Sequence, residues 1–250
     1  MEAIGEILKR VIPNHHLSDL KEATPEPVYQ CQHCHDAGIV HPLKEEGNPD
    51  YSGAVVCRYC VSPERICRSL GVSSLDATFA NFKVVKGAED AFEAAKLIAG
   101  LQTEWKLLLI YGKWGNGKTH LLEAIALEIW GKGYQVKIQT FPDFVARLKG
   151  TFDRNIEPGD TSFNDIMAGI CKMPYLLLDD VGAAGSFTPF SLNQLERIML
   201  ARYRDNLFTV ITTNLDYAEL PPFVVSRFSD IEKARTVLNS ASDFRPRKGK

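Results

Sequence analysis

Apolar residues form several short continuous runs in the second half of the chain. These runs are Leu107–Tyr111, the apolar part of "YLLLDDVG" that ends at Asp179, and "LFTVITTNLD" from Leu207 to Asp216. Each run has the length and composition of a strand that is buried on both faces. The runs alternate with helical stretches of about 10 to 15 residues, the pattern of a parallel sheet with crossover helices. The sequence therefore predicts an α/β domain in this part of the chain.

A different pattern occurs at the amino-terminal end. Five apolar residues recur at helical spacing and form one stripe on a short helix that Pro13 ends: Ile4, Ile7, Leu8, Val11 and Ile12. The stripe could pack against the small module that follows it, or it could dock a partner. The pattern itself does not separate these two interpretations.

Composition and charge exclude several classes of protein. Hydrophobic residues make up 45% of the chain and charged residues 24%, which is typical of a soluble globular protein. Lys+Arg 29 against Asp+Glu 31 leaves no overall basic charge, so contact with nucleic acid would need a local patch. No apolar run approaches the ~20 residues of a membrane span. The first residues lack an apolar signal core, so we expect a cytoplasmic protein, in which structural disulfides are rare.

Two CxxC pairs give the first indication of chemistry. Cys31 and Cys34 stand in "CQHCHDAG", and Cys57 and Cys60 stand in "VVCRYCVS" further along the chain. Two such pairs separated by about 20 residues are typical of a tetrahedral zinc site, because each pair brings two thiolates to one ion. A thioredoxin-like redox centre would need one CxxC at a helix start within a βαβ unit, and neither pair has that setting.

The ligand set is not unique at this stage. Any one of the four thiolates could be replaced by Cys67, His33, His35 or His41. Cys171 lies far downstream, just before an apolar run, and is expected in the core.

The clearest motif lies in "LLLIYGKWGNGKTHLL", where a glycine-rich loop separates a strand from a helix. Gly112, Gly117, Lys118 and Thr119 match the pattern GxxxxGK[ST]. Glycines let backbone N–H groups turn inward and cradle the β-phosphate at the start of the helix. Lys118 would neutralise the β- and γ-oxygens, and the Thr119 hydroxyl would bind Mg²⁺. The predicted ATP or ADP site comprises Gly112, Gly115, Asn116, Gly117, Lys118, Thr119, His120 and Asp179.

Polar residues end the next two apolar runs and predict the catalytic part of this site. Asp179 is placed to organise magnesium, and Asp180 takes the next position, where a carboxylate orients the attacking water. Aspartate is one methylene shorter than glutamate, so we expect slow hydrolysis. Asn214, after Thr213, could hold the attacking water or sense the γ-phosphate. Arg227 could be an arginine finger that acts on a neighbouring molecule, or an ordinary surface arginine.

Taken together, these motifs resemble an AAA+ ATPase of the DnaC/DnaI type, the bacterial and phage replicative helicase loaders. Walker A, Walker B, sensor 1 and arginine-finger positions occur in that order, and "GNGKTHLL", "LLLDDVGA", "RYRDNLFTVITTNL" and "LDATFANF" are similar to segments of that family. "CQHCHDAG" is similar to the zinc module that often precedes the ATPase domain in the family. The resemblance implies a P-loop core with a five-stranded parallel sheet, without a full lid domain, preceded by a small zinc-binding domain. It also implies self-assembly into an ATP-dependent oligomer.

The resemblance also suggests further contacts. "SASDFR" is similar to a carboxyl-terminal family element, which nominates Arg245 as sensor 2, although Arg245 could also belong to a disordered basic tail with Arg247, Lys248 and Lys250. Phe79 and Phe82 could bracket the adenine or only fasten the linker to the core. The segment 141–170 would contact single-stranded DNA, with Arg147, Lys149 and Arg154 on phosphates and Phe144 or Phe152 stacking on bases. Phe144 also has the spacing of a core residue.

The expected organisation has three parts. Residues 1–70 form an amino-terminal zinc-binding module that contacts the helicase, residues 71–78 a linker, and residues 79–250 the AAA+ ATPase domain. The predicted function is to bind the replicative hexameric helicase and deliver it to single-stranded DNA, with ATP binding and weak, DNA- or partner-stimulated hydrolysis controlling assembly and release. Two alternatives stay open: a transposition helper ATPase, and a zinc adaptor that uses ATP only as a switch.

Overall fold

A computed structural model describes residues 28–152, 161–183 and 187–244. The predicted amino-terminal stripe, Arg154 and Arg245 lie outside the described residues. Among the described residues no helix combines the length and the hydropathy that a membrane crossing requires. The elements in chain order are β1 (Ile39–Val40), β2 (Val55–Val56), α1 (Pro63–Leu70), α2 (Glu89–Ala99), β3 (Leu107–Tyr111), α3 (Lys118–Gly131), β4 (Val136–Thr140), α4 (Phe141–Lys149), α5 (Phe163–Lys172), β5 (Tyr175–Asp179), α6 (Pro189–Arg204), β6 (Phe208–Thr213), a 3₁₀ turn (Tyr217–Glu219), α7 (Pro222–Phe228) and β7 (Ala234–Leu238).

The large sheet has five parallel strands in the order β4-β5-β6-β3-β7. This confirms the predicted α/β class and the five-stranded parallel sheet. The strand that precedes the glycine-rich loop, β3, lies between β6 and β7. The carboxyl ends of parallel strands meet at one edge of the sheet, where ligands of open α/β folds bind. Three predicted site segments therefore lie at that edge, after β3, β5 and β6.

Helices cover both faces of this sheet because its strands are apolar on both faces. Leu108 and Ile110 of β3 point into one core, which α2 and α3 close. Leu107 and Leu109 point into the other core, which includes residues of α4, α5, α6 and α7. In the described part of the chain no helix follows β7.

The cysteine-containing module is a small hairpin, β1 and β2, followed by α1. Ser62 caps the start of α1 and Gly71 ends it in the left-handed conformation, with φ 82°. A side chain at Gly71 would collide with the Ile138 carbonyl of β4. Ile66 and Leu70 of α1 belong to the same apolar core as the sheet. The module therefore packs directly against the α/β domain through α1.

Residues 71–78 also pack against that domain. Val72 and Ala77 are buried. The Glu123 carboxylate of α3 accepts the Ser73 N–H at 2.7 Å and the Ser73 hydroxyl at 3.0 Å. These contacts fasten the segment to α3. The predicted boundaries at residues 70 and 78 stay predictions.

Candidate functional site

The loop between β3 and α3 has the backbone of a phosphate-binding loop. Gly112, Gly115 and Gly117 all have positive φ, at 142°, 74° and 91°. A side chain at Gly112 would collide with the carbonyl of Asn239, and one at Gly117 would come within 2.8 Å of the Phe82 ring. Glycine is needed at these two positions for its conformation and for its size.

Lys118 begins α3 and is almost completely buried. Its Nζ donates to the carbonyls of Gly112 at 2.8 Å and Lys113 at 2.7 Å, and to Asn116 Oδ1 at 3.1 Å. These acceptors hold the ammonium inside the loop.

Asp179, the last residue of β5, lies opposite the first turn of α3. Thr119 Oγ1 donates to Asp179 Oδ2 at 2.9 Å, and the Thr212 hydroxyl donates to Asp179 Oδ1. Burial raises the pKa of the Asp179 carboxyl above its ordinary value. A hydroxyl and a carboxylate in contact are the oxygen ligands that Mg²⁺ takes beside a nucleotide. These two residues fit a magnesium site and would hold the ion there.

Asp180 has a left-handed backbone, with φ 53°, which is uncommon for aspartate outside special turns. Asn214 Nδ2 donates to Asp180 Oδ1 at 3.0 Å, and the Asp180 N–H donates to Thr212 Oγ1 at 3.2 Å. The adjacent Thr213 hydroxyl instead donates to the Val181 carbonyl at 2.6 Å and organises the turn. Asp180 and Asn214 therefore form one polar unit.

Thr212 was missed by the sequence interpretation, which started the polar end of β6 at Thr213. Its single hydroxyl contacts both consecutive aspartates, and the residue is fully buried. A hydroxyl in the middle of a buried strand needs a hydrogen-bond partner, and that requirement was the available signal.

A cavity of about 750 Å³ joins these groups. That volume lies within the range of about 300–1,000 Å³ of small-molecule sites. Its lining includes Asp180, Asn214 and the loop and helix residues Gly115, Asn116, Gly117, Lys118 and Thr119, whereas Gly112 and Asp179 are not among the lining residues. Trp114, two-thirds exposed, lies at its rim.

Several residues of the segment 73–85 also line the cavity, together with residues of α3. Phe82 lines the cavity and packs edge-on against His120, with 5.2 Å between ring centroids. His120 Nε2 lies 2.9 Å from the Thr78 carbonyl oxygen. Phe79 and Phe82 both pack against Phe92, with 5.9 Å and 5.5 Å between ring centroids, and both border the apolar core. Of the two phenylalanines proposed to bracket the adenine, only Phe82 faces the cavity.

Arg227 lies on α7 and does not line this cavity. Its Nη1 donates to the Phe223 carbonyl at 3.0 Å. Its Nε is buried, and within the described part of the chain it has no hydrogen-bond partner. The arginine therefore does not act on a nucleotide held by its own chain in this arrangement.

The four CxxC sulfurs form a second candidate site. The Sγ atoms of Cys31, Cys34, Cys57 and Cys60 all lie within 4.8 Å of one another. Cys31 and Cys57 are 3.8 Å apart, and Cys34 and Cys60 are 3.4 Å apart. Zinc–sulfur bonds of about 2.3 Å require tetrahedron edges of about 3.8 Å, so this geometry fits zinc.

The surroundings of the sulfurs agree with that fit. The Gly38 N–H donates to Cys34 Sγ at 3.3 Å, and Asp36 accepts the Cys31 N–H at 2.7 Å. Hydrogen bonding to Cys34 raises the pKa of Cys60 to about 12. Zinc binds cysteine as the thiolate, so a bound ion would favour the deprotonated form of Cys60.

None of the alternative ligands joins this cluster in the described residues. Cys67 packs on the border of the main apolar core. His33 stacks on Tyr59 at 3.6 Å, and His35 stacks on Tyr29 at 4.4 Å. His41 Nδ1 lies 3.0 Å from the Gly53 carbonyl oxygen.

The predicted DNA-contacting segment divides into core and surface. Phe144 is buried in the core, so the suggestion that it stacks on bases is wrong for this conformation. Phe152 is exposed and stacks on Phe163 at 5.5 Å, with Phe190 at 6.0 Å. Two cations complete the group, Lys149 over Phe190 and Arg197 over Phe163, each at 5.8 Å. We call these five residues the aromatic–basic cluster.

Comparison with known proteins agrees with the motifs. Residues 74–185 match the family model described as the bacterial DnaA ATPase domain. The replicative helicase loader DnaI of Bacillus subtilis (strain 168) is 32% identical over 127 residues, which cover 51% of this chain and 35% of that relative.

Two solved structures share the fold. A DnaC helicase loader aligns with a TM-score of 0.56 and 20% identity, over 66% of this chain and 98% of that one. A DnaI structure aligns with a TM-score of 0.54 and 24% identity, over 71% of this chain and 94% of that one. The predicted resemblance to AAA+ ATPases of the DnaC/DnaI type is confirmed.

Proposed function

Because the chain carries a DnaA-like AAA+ ATPase domain similar to those of DnaC and DnaI, we propose that it is an ATP-dependent loader of a replicative hexameric helicase. It binds the helicase through the zinc module and delivers it to single-stranded DNA. The observation that carries the proposal is the convergence of Lys118, the Thr119–Asp179 contact and the Asp180–Asn214 contact on one cavity. The proposed role places the protein in the cytoplasm.

In this proposal the glycine-rich loop holds the nucleotide phosphates. Backbone N–H groups of the loop and the positive end of α3 bind the β-phosphate, and Lys118 Nζ moves from its carbonyl partners to phosphate oxygens. Thr119 and Asp179 hold Mg²⁺. Phe82 and His120 form the wall against which the adenine lies. ATP binding would therefore draw together residues of β3, α3 and β5.

Hydrolysis is assigned to the second polar unit. Asp180 orients the attacking water, and Asn214 holds that carboxylate and senses the γ-phosphate. The short aspartate side chain makes the step slow until DNA or the helicase adjusts the geometry. Arg227 would stabilise transition-state charge on the nucleotide of a neighbouring protomer.

The in-trans assignment has a direct test. Arg227→Ala should abolish cooperative ATP hydrolysis in the assembled oligomer and leave ATP binding within about twofold of the wild-type chain. Normal turnover of the variant at concentrations where the wild type assembles would contradict the assignment.

We propose that the zinc module is a docking surface held rigidly on the ATPase domain. Arg58, between the two zinc ligands of its pair, donates to the Gly131 carbonyl at the end of α3. The Leu43 N–H donates to the Gly133 carbonyl at 3.0 Å. A zinc ion substitutes for the apolar core that so small a unit lacks. A bound helicase would then follow the movements of α3.

We propose that the aromatic–basic cluster is the binding surface for single-stranded DNA, together with Arg147, which lies on α4 with Lys149. Exposed aromatic rings stack on bases of any sequence, and lysine and arginine side chains bind the phosphates. The near-neutral net charge of the chain requires such a local patch. Phe152→Ala should weaken binding of an oligonucleotide severalfold, whereas Phe144→Ala should lower stability instead.

The loader function is tested with the intact, zinc-containing chain. A candidate hexameric helicase is mixed with the chain, ATP and single-stranded DNA, and helicase transferred to DNA is measured. We expect transfer with the wild type and none with Lys118→Ala, which still carries the zinc module. If the wild-type chain forms no complex with any candidate helicase, the loader assignment fails even if it hydrolyses ATP.

A further inference from the structure

The chain that leaves the last strand returns across the glycine-rich loop. Because β7 pairs with β3, the end of β7 lies beside the start of the loop. Asn239 follows β7, and its backbone N–H donates to the Tyr111 carbonyl at 2.8 Å. Both Asn239 and the loop residue Asn116 are almost completely buried, at 1% and 3% exposed. Two carboxamides are thus buried at the base of the proposed phosphate site.

These two asparagines bind each other reciprocally. Asn116 Nδ2 donates to the Asn239 carbonyl at 2.7 Å, and Asn239 Nδ2 donates to the Asn116 carbonyl at 3.0 Å. The side-chain oxygens are also used, since Asn116 Oδ1 accepts from Lys118 at 3.1 Å and Asn239 Oδ1 accepts from the Ala241 N–H at 3.2 Å. A buried amide that would lose several bonds on rotation has one favoured orientation.

A second contact fixes the preceding peptide of the loop. The Phe244 N–H donates to the Gly115 carbonyl at 2.9 Å. In a trans peptide the C=O of one residue and the N–H of the next point in opposite directions. Holding the Gly115 and Asn116 carbonyls against the segment after β7 therefore turns the Asn116 and Gly117 N–H groups away from that segment. Asn116 and Gly117 line the cavity, where inward N–H groups would bind an anion.

We propose that Asn239 is a positioning residue for nucleotide binding: its side chain fixes the peptide between Asn116 and Gly117, and its backbone carbonyl holds the Asn116 side chain that contacts the Lys118 ammonium. Asn239 itself does not line the cavity. This inference rests on the proposed ATP site.

The test compares nucleotide affinity with stability in the intact, zinc-containing chain. For Asn239→Ala we expect about tenfold weaker binding of ATP with Mg²⁺ by calorimetry, because loop N–H groups lose their fixed direction. Asn164→Ala, an exposed asparagine in α5, is the matched control and should bind like the wild type. An affinity of Asn239→Ala within twofold of the wild type, in folded protein, would overturn the proposal, because a merely structural role would lower only the melting temperature.

A double-variant cycle adds a readout that stability cannot mimic. The losses of ATP affinity in Asn116→Ala and Asn239→Ala should combine to less than their product in the double variant, because the two reciprocal bonds hold the same pair of backbones together. Losses that multiply would overturn the proposal. If Asn239→Ala does not fold, Asn239→Asp, which keeps the shape and the acceptor for Ala241 but cannot donate to Asn116, should show the same loss. A wild-type chain that takes up no ATP would refute the proposed function itself, a result distinct from an unchanged Asn239 variant.

Discussion

Thr212→Val removes one hydroxyl from the centre of the site and preserves the shape of the side chain. In the wild type that hydroxyl donates to Asp179 and accepts the Asp180 N–H at 3.2 Å. Thr212 is fully buried, so water cannot replace the lost partner. Both aspartates would therefore lose a bond at once.

The magnitude follows from those two bonds. Each buried group left without a partner costs about 1–3 kcal/mol, and part of this is recovered by burying a methyl group. We expect misplacement of Asp179 and Asp180 to raise the activation free energy of hydrolysis by about 2 kcal/mol. The hydrolysis rate should then fall about 30-fold. Loss of the Thr212 donor should also raise the pKa of Asp179 further, because that hydrogen bond opposes the effect of burial.

The assay is steady-state ATP hydrolysis at a series of magnesium concentrations and pH values. Thr212→Val should need a higher magnesium concentration than the wild type to reach half of its maximal activity. The midpoint of its activity loss at acidic pH should also lie at a higher pH than in the wild type, because a proton competes with Mg²⁺ for Asp179. Thr212→Ser keeps the hydroxyl and is the control. If the valine variant shows the wild-type magnesium and pH dependence while folded, the proposed role of Thr212 is refuted.

Three further predictions follow. Asp179→Asn should raise the melting temperature of the nucleotide-free protein at neutral pH and remove its stabilisation by ATP with Mg²⁺. Because burial raises the pKa of Asp179 in the folded state, stability falls as pH rises from about 4 through that folded pKa, and the uncharged asparagine avoids this loss. An unchanged melting temperature would contradict this. Arg202→Met should lower the free energy of unfolding by about 3–5 kcal/mol in denaturant titrations. The reason is that the buried guanidinium donates to the carbonyls of Met173 and Phe208, each at 2.6 Å. A loss under about 1 kcal/mol would contradict this prediction. Cys57→Ser should lower the zinc content measured by metal analysis, with Cys171→Ser as the control, and equal zinc content in both variants would argue against the four-cysteine site.

The apolar pattern predicted three of the five strands, β3, β5 and β6, and the polar groups that end them, whereas the number of strands came from the family resemblance. Apolar runs such as Leu107–Tyr111 are local signals, and a glycine-rich loop between a strand and a helix has a fixed geometry. Parallel strands bring their carboxyl ends together, so Asp179 and Asn214 could be assigned to one site before the strand order was known. The spacing of the four cysteines indicated a zinc site, but it left Cys67 and three histidines as alternative ligands.

Residues whose partners are distant in the chain could not be recognised in this way. Asn239 contacts Asn116 only because β7 lies beside β3, and this neighbour relation has no local pattern. Helical spacing left Phe144 ambiguous between core and surface until the position of its helix was known. The packing of α1 on the sheet could not be predicted from the sequence either, because Leu70 shares its apolar core with residues that are distant in the chain.

The central claim is that Lys118 and the two aspartates hold ATP with Mg²⁺ in this cavity. Calorimetric titration of the intact chain with ATP and magnesium tests it most directly. We predict saturable binding at one site per chain, lost in Lys118→Ala while the variant keeps the wild-type fold by circular dichroism. If folded wild-type protein takes up neither ATP nor ADP, the claim is contradicted.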